Sequence, residues 1–429
     1  MEKLMQYVWQ HRLWNPAQMT TVDGQSVKIL DPGLLNTDAG PDFFNAKIEI
    51  GGRLWAGNVE MHVRASDWAR HHHDRDRAYD SVILHVVEKD DAPVRRGNGE
   101  IIPQMVMRCS PQFHERYARL TEAKTQLPCA AQIAEIPQLT ITEWVQRLAF
   151  ERLQSKVERI LDLYSLTSGN WEEICYITLA RNLGFGINND AFEMLARRTP
   201  LRLLHKHSDS ALQVEALLFG QAGMLADPGP EATVPYYRQL RREYAFLANK
   251  FQLKPMDGSM WKTFRIRPQN FPYRRVALLA HFVTGGFSLM TEILERRSEA
   301  ELRELFTVRL DGFWESHHTF AGAANANAAA LSDASIDIIL INTVAPLYYA
   351  YSVKSDSYEH SERAVSLLEA LRPERNSIVA AFTAAGIKCP DALTSQALIQ
   401  LRREYCQPRK CLYCKIGHRL LSAAACGRE

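Results

Sequence analysis

Apolar residues recur at helical spacing near the start of the chain, at Leu4, Met5, Val8, Trp9 and Leu13. That spacing predicts an amphipathic first helix over residues 2–14. The period then changes from helical to alternating. Phe44, Ala46, Ile48 and Ile50 alternate with Asn45, Lys47 and Glu49, which predicts a strand with one buried face. Gly51 and Gly52 suit a two-residue hairpin turn. The returning strand covers 53–63, with Val59, Met61 and Val63 on one face and Asn58, Glu60 and His62 on the other. An earlier short strand over 27–30 is closed by Asp31, Pro32 and Gly33. Ser66 as N-cap, with Asp67 in the first turn, predicts a helix reaching about residue 79. Residues 82–87 are almost continuously apolar, as a central strand covered on both faces should be. A last strand over 101–107 precedes another helix.

The order is helix, three strands as a meander, helix, and a strand that returns over it. Beyond residue 130 the pattern is helical. Trp144, Leu148, Leu153, Val157, Ile160 and Leu161 share one side of a long segment over 139–164. Further helices are expected at 170–183, 190–198, 210–225, through 235–305, and at 334–352, 360–371, 375–385 and 391–405. Pro228, Gly229 and Pro230 mark a linker. We therefore expect an α+β fold, a mixed sheet followed by a large all-helical region, in three segments: 1–125, 126–230 and 231–429.

Composition narrows the picture by exclusion. A 46% apolar and 23% charged chain of 429 residues can bury a sizeable core. A net charge of +2 gives no global field toward nucleic acid or membrane, so any such surface is local. Glu2 precedes the first apolar positions, and Gln10, His11 and Arg12 interrupt them, unlike a secretion signal. Residues 336–351 are apolar but contain Asp337, Asn342 and Pro346, and read as a buried helix. No membrane association is expected. Eight cysteines without a secretion signal fit a reducing cytoplasm, where clustered cysteines bind metal more often than they pair. Gly220 and Gly223 have no phosphate-loop lysine after them, and no dinucleotide fingerprint occurs.

The chemistry concentrates between Gly40 and Val87. Glu60 and His62 stand two apart on a strand, so both leave the same face. Asp42 opens the neighbouring strand, about 4.8 Å away. Two carboxylates so placed can share one Mg²⁺ or Mn²⁺ ion, which activates water and holds a phosphate oxygen. The imidazole of His62 can position or deprotonate that water. On the expected helix, Trp68, His71 and His72 fall on one side, and one of the two histidines can assist. The competing reading makes Asp42 a turn aspartate, Glu60 and His62 a solvated strand face, and His71–His73 a hydrated helix face. His85, within the apolar strand, reads as a core histidine with a backbone partner.

Pro41-Asp42, a gap of 17 residues, then Glu60-Met61-His62 resembles the signature of the PD-(D/E)xK nuclease superfamily, and the helix–three strands–helix–strand order is similar to its restriction-endonuclease-like core. The resemblance implies that Asp42 and Glu60 bind Mg²⁺ and that the chain cleaves nucleic acid, DNA first. His62 takes the place of that superfamily's lysine. The segment from Trp68 to His73 resembles the Trp-His-rich segment of very-short-patch-repair endonucleases. Over most of its length the chain also resembles a bacterial family designated DUF2851, a domain of unknown function. The rivals to a nuclease are a non-catalytic nucleic-acid-binding or scaffold protein on the same fold, and a metal-assisted hydrolase of another ester.

Cys406-x₄-Cys411-x₂-Cys414 places three thiols within nine residues, the spacing of a zinc or iron–sulfur site. Cys129, Cys389, Cys426 and His418 can each supply the fourth ligand. Cys129 with the three C-terminal cysteines resembles the arrangement by which some nucleases of the superfamily hold a cluster. Lys262, Arg265, Arg267, Arg274 and Arg275 are interleaved with aromatics, which suits phosphate contacts with base stacking. A loop pinned to the helical body by arginine hydrogen bonds is the equal alternative.

Overall fold

The computed structural model describes residues 1–14, 19–109, 111–226, 229–264, 266, 270–323 and 330–422. It is mixed α+β, with a sheet near the N-terminus and a large helical region after it. Two compact units form, in place of three consecutive domains. The first takes residues 1–144, 381–387 and 401–429, and the second takes 145–380 and 388–400. The boundary expected near 230 is absent because one apolar core runs from Leu153 to Ala392.

In the first unit, helix α1 (Glu2–Gln10) precedes strands β1 (Val27–Asp31), β2 (Leu34–Leu35), β3 (Phe43–Ile50) and β4 (Arg53–Arg64). Helix α2 (Asp67–Arg70) separates β4 from β5 (Val82–Lys89), and β6 (Gln104–Val106) follows. The sheet order is β1-β3-β4-β5-β6, with β2 also on β3. The β1–β3–β4 part is antiparallel; β5 and β6 join in parallel. Gly51 and Gly52 both take positive φ, 56° and 80°, which the tight β3–β4 turn requires. Residues Val82 to Val87 are all buried.

The helix expected to reach residue 79 stops at Arg70. Ser66 gives its hydroxyl to Asp91 (3.0 Å) and does not cap the helix. His72 then turns left-handed at φ 61°, and two short 3₁₀ turns, His73–Arg75 and Arg77–Tyr79, complete the crossover.

The second unit packs helices such as Trp171–Leu183, Ala211–Gln221 and Pro272–Val283 around Tyr176, Tyr237 and Leu279. The helical run Asp333–Ser355 is long and apolar enough to cross a membrane, yet 67% of its most apolar window is buried, as in a core helix. The expected linker at 228–230 lies partly outside the described residues.

Candidate metal centre

A single irregularity in the β3–β4 ladder decides the geometry of the site. Phe43 pairs with Val59, but Ala46 pairs with Gly57. Phe44 and Asn45 together therefore stand against Asn58, a β-bulge. Asn45 sits at φ 56°, and its N–H donates to Asn58 Oδ1 at 3.2 Å. The bulge makes Phe43 the buried ring and leaves Phe44 half-buried, against strict alternation. Extending the register past Phe43 puts Asp42 across from Glu60, and directly opposed residues share a face. Without the extra residue Asp42 would oppose Met61 and face the other way.

The two acids are linked through backbone N–H groups, that of Asp42 itself and that of Met61, the residue after Glu60. The Asp42 N–H donates to Glu60 Oε2 (3.0 Å), and the Met61 N–H donates to Asp42 Oδ2 (3.0 Å). Gln6 on α1 donates to Asp42 Oδ1 (2.8 Å). The other oxygen of Glu60, Oε1, lies 3.5 Å from His62 Nε2 and 3.4 Å from His73 Nε2. His62 Nε2 is 3.1 Å from His71 Nδ1. Ligand atoms of His62, His71 and His73 all lie within 4.8 Å of one another. Tyr79 stacks on His73 at 3.7 Å between ring centroids, and Trp68 meets the same imidazole edge-on.

His72 is exposed and is not in this group. Helical spacing would have paired His71 with His72; the left-handed turn at His72 brings in His73 instead. His85 is fully buried, but its partners are side chains and not backbone. Its Nε2 is 2.8 Å from His62 Nδ1, and its Nδ1 is 3.1 Å from Gln104 Oε1.

Charge at the site is unbalanced. Burial, then the neighbouring Glu60 and Glu2, push the Asp42 carboxyl above the usual range. Burial raises Glu60 too, against the Asp42 N–H that lowers it. Burial pushes His62 down, with His85, His73 and His71 adding to it, so its imidazole is neutral at physiological pH. Among the described residues, the ion-pair partners of Glu60 are histidines, and no arginine or lysine pairs with it or with Asp42. Carboxylates and imidazole lone pairs converging without a fixed cation form a site suited to a metal ion.

This chain belongs to the family DUF2851. Its description is "Protein of unknown function", and the family profile matches residues 2–377. No curated protein and no solved structure matches the chain. All the residues of the histidine–carboxylate group fall inside the DUF2851 match, whereas Cys406, Cys411 and Cys414 lie beyond it.

The cysteines nonetheless assemble. Arg409 donates to the carbonyls of Thr125 (3.0 Å) and Ala123, and Cys411 Sγ lies 3.8 Å from the Leu120 carbonyl oxygen, which fastens the C-terminal turn to the segment leading into Cys129. A Cβ on Gly417 would stand 2.1 Å from the Cys411 carbonyl oxygen, so only glycine permits this close turn before the helix Lys415–Ser422. Burial raises the Cys129 thiol to about 12, with Cys414 and Cys411 contributing, and Cys406 is raised by burial and by Cys414, Cys129 and Cys411. Of the other proposed fourth ligands, Cys389 belongs to the second unit and bonds the Asp391 carbonyl, while His418 Nδ1 faces Tyr7 (2.5 Å). Cys426 lies outside the described residues.

Two residues of the basic stretch, Arg274 and Arg275, are turned into the protein. Arg274 and Arg275 are 3% and 5% exposed. Arg275 stacks over Phe185 at 4.3 Å and donates to Asn270, and Arg274 faces His318. These two arginines pin a helix start to the body. Lys262 is exposed, while its backbone is held by Asn188. Arg265 and Arg267 lie outside the described residues.

Sequence reasoning missed Glu2, Gln6, His73, Tyr79 and Gln104. Only one signal was present: Glu2 and Gln6 are polar residues four apart beside the apolar stripe of α1.

Proposed function

We propose that this protein is a divalent-metal-dependent hydrolase of nuclease type, cleaving nucleic-acid phosphodiesters at the site built on Glu60. The observation that carries the reading is the convergence of Asp42 and Glu60 with His62, His71 and His73 on one face of the sheet. The meander followed by a parallel crossover is in keeping with a PD-(D/E)xK-like core. A bound divalent ion supplies Lewis acidity and an activated water. Glu60 Oε1 offers the open carboxylate oxygen. Asp42, engaged by Gln6 and the Met61 N–H, adds negative charge and holds Glu60 in place through its own N–H. Neutral His62 acts as a lone-pair donor, in contrast to the cationic lysine at that place in the superfamily. Arg70 and Arg75, exposed on the crossover and paired there with Asp67 (2.8 Å) and Asp74 (3.6 Å), would exchange those partners for substrate phosphates.

The test is to incubate labelled DNA and RNA oligonucleotides with the protein and Mn²⁺, Zn²⁺, Mg²⁺ or chelator. Metal-dependent cleavage that disappears in Glu60→Gln supports the reading. Cleavage with no metal requirement, or none under any condition, removes it; binding without cleavage favours a scaffold.

We also infer that Cys129, Cys406, Cys411 and Cys414 hold a structural metal. Burial and the neighbouring thiols raise Cys129 and Cys406 together, as sulfurs gathered in one place do. Four thiolates suit a tetrahedral zinc or an iron–sulfur cluster equally. Metal analysis and the visible spectrum of anaerobically purified protein decide between them.

A further inference from the structure

Gln104 determines which nitrogen of His62 carries a proton. The amide nitrogen of Gln104 faces two acceptors, Asp90 Oδ1 and the Ala92 carbonyl at 3.4 Å. A carbonyl cannot donate, so Gln104 must turn its NH₂ to them and its Oε1 to His85. That oxygen, 3.1 Å from His85 Nδ1, requires Nδ1–H on His85. In a neutral imidazole the other nitrogen, Nε2, is then an acceptor. It lies 2.8 Å from His62 Nδ1, which must therefore be the protonated nitrogen of His62. The relay leaves His62 Nε2 with a bare lone pair, and Nε2 is the atom facing Glu60 Oε1, His71 Nδ1 and, through Glu60, His73 Nε2.

We propose that Glu60, His62, His71 and His73 form a site selective for a zinc-class transition-metal dication over Mg²⁺, with His85 and Gln104 as positioning residues that set the His62 tautomer. The inference concerns the site of the proposed hydrolysis but does not require that activity. Three imidazole nitrogens and one carboxylate oxygen suit zinc, manganese or iron, whereas Mg²⁺ demands oxygen ligands and retained water. Taken in the order His71, His62, Glu60, His73, neighbouring ligand atoms stand 3.1, 3.5 and 3.4 Å apart, the spacing that bonds of about 2.1 Å to one ion give, and the three imidazoles lie within 4.8 Å of one another. An orienting partner on the far nitrogen of a ligating imidazole is the arrangement metal-binding histidines use to raise basicity and keep their ring in place.

The test is to strip the full chain with chelator and titrate it with Co²⁺ as a spectroscopic stand-in for zinc. The His73→Ala variant, treated identically, is subtracted to remove any signal from the cysteines. A ligand-field band for about one extra Co²⁺ per chain, displaced by Zn²⁺ and not by excess Mg²⁺, is expected. Gln104→Met should weaken Co²⁺ binding by about 10- to 100-fold, and His72→Ala should leave it unchanged. Urea unfolding of each metal-free variant checks that it is folded, and His71→Ala provides the same test if His73→Ala is not. A null difference spectrum, displacement by Mg²⁺, or equal weakening by His72→Ala overturns the proposal. Binding as described without cleavage leaves this inference standing and removes the nuclease reading. Cleavage with Mg²⁺ and no Co²⁺ difference does the reverse.

Discussion

Two buried glutamates, one in each unit, are treated in opposite ways. Glu193 in the helical unit is 6% exposed and is gripped by Arg181 and Arg197, each at 2.8 Å, and by Arg159. Burial alone would raise its pKa, but these guanidinium groups hold it below the usual range. Glu60 in the sheet unit is 4% exposed and has histidines and Asp42 around it, and its pKa is raised. A carboxylate surrounded by arginines is neutralised within the fold. One surrounded by imidazole lone pairs and a second acid is neutralised by protons or by an added cation. The first arrangement stabilises structure, and the second keeps a site open for a ligand.

The sharpest way to break this contrast is activity. Glu60→Gln should reduce metal-dependent cleavage by about 10²- to 10⁴-fold, read as single-turnover rates on an oligonucleotide. Glu193→Gln should leave the rate of folded protein unchanged, and similar losses in both variants would erase the distinction.

Stability should run the other way. Glu193→Ala removes the shared partner of three guanidinium groups, of which Arg181 keeps Asp190 (2.7 Å), and should cost about 2 kcal/mol in urea denaturation, reduced from a fully buried pair because Arg159 and Arg197 are half exposed. Metal-free Glu60→Gln should be no less stable than wild type, since it removes a buried charge that has no fixed cation. A large loss there would mean that Glu60 is a structural residue.

Glu215 sharpens the comparison inside the helical unit. It accepts from Tyr236, and burial raises it to about 7. A raised carboxyl contributes stability that is complete below its unfolded pKa and is lost as pH rises through the folded value. The melting temperature should therefore fall between pH 4.5 and pH 7, by the equivalent of about 2 kcal/mol. In Glu215→Gln that slope should become shallower by about this amount, and the part contributed by the raised Asp42 and Glu60 carboxyls should remain; a slope as steep as that of wild type assigns the difference to other groups.

The smallest effect is local and geometric. Asn45→Val places a β-branched residue at φ 56° and should cost about 1–2 kcal/mol. If the bulge orients Asp42, the variant should also bind metal more weakly than its stability loss explains. Unchanged metal affinity would show that the bulge matters to the fold alone.

Local chemistry carried the sequence a long way: the Gly51-Gly52 hairpin, the β4 faces, the buried strand after residue 82, the long helix and the cysteine spacing all lie in runs of neighbouring residues, where period and turn chemistry are readable. Pairing Asp42 with Glu60 needed more. One left-handed residue, Asn45, inverts the parity of every position before it, and alternation cannot report that. Likewise, an early helix stop exchanged His72 for His73, burial took Arg274 and Arg275 out of contact with solvent, and Gln104, Gln6 and Cys129 came to their partners from distant stretches of chain. Residues 401–422 joined the first unit, not the helices that precede them in the sequence. These outcomes depend on which surfaces close over which, a property of non-local packing that no window of sequence contains.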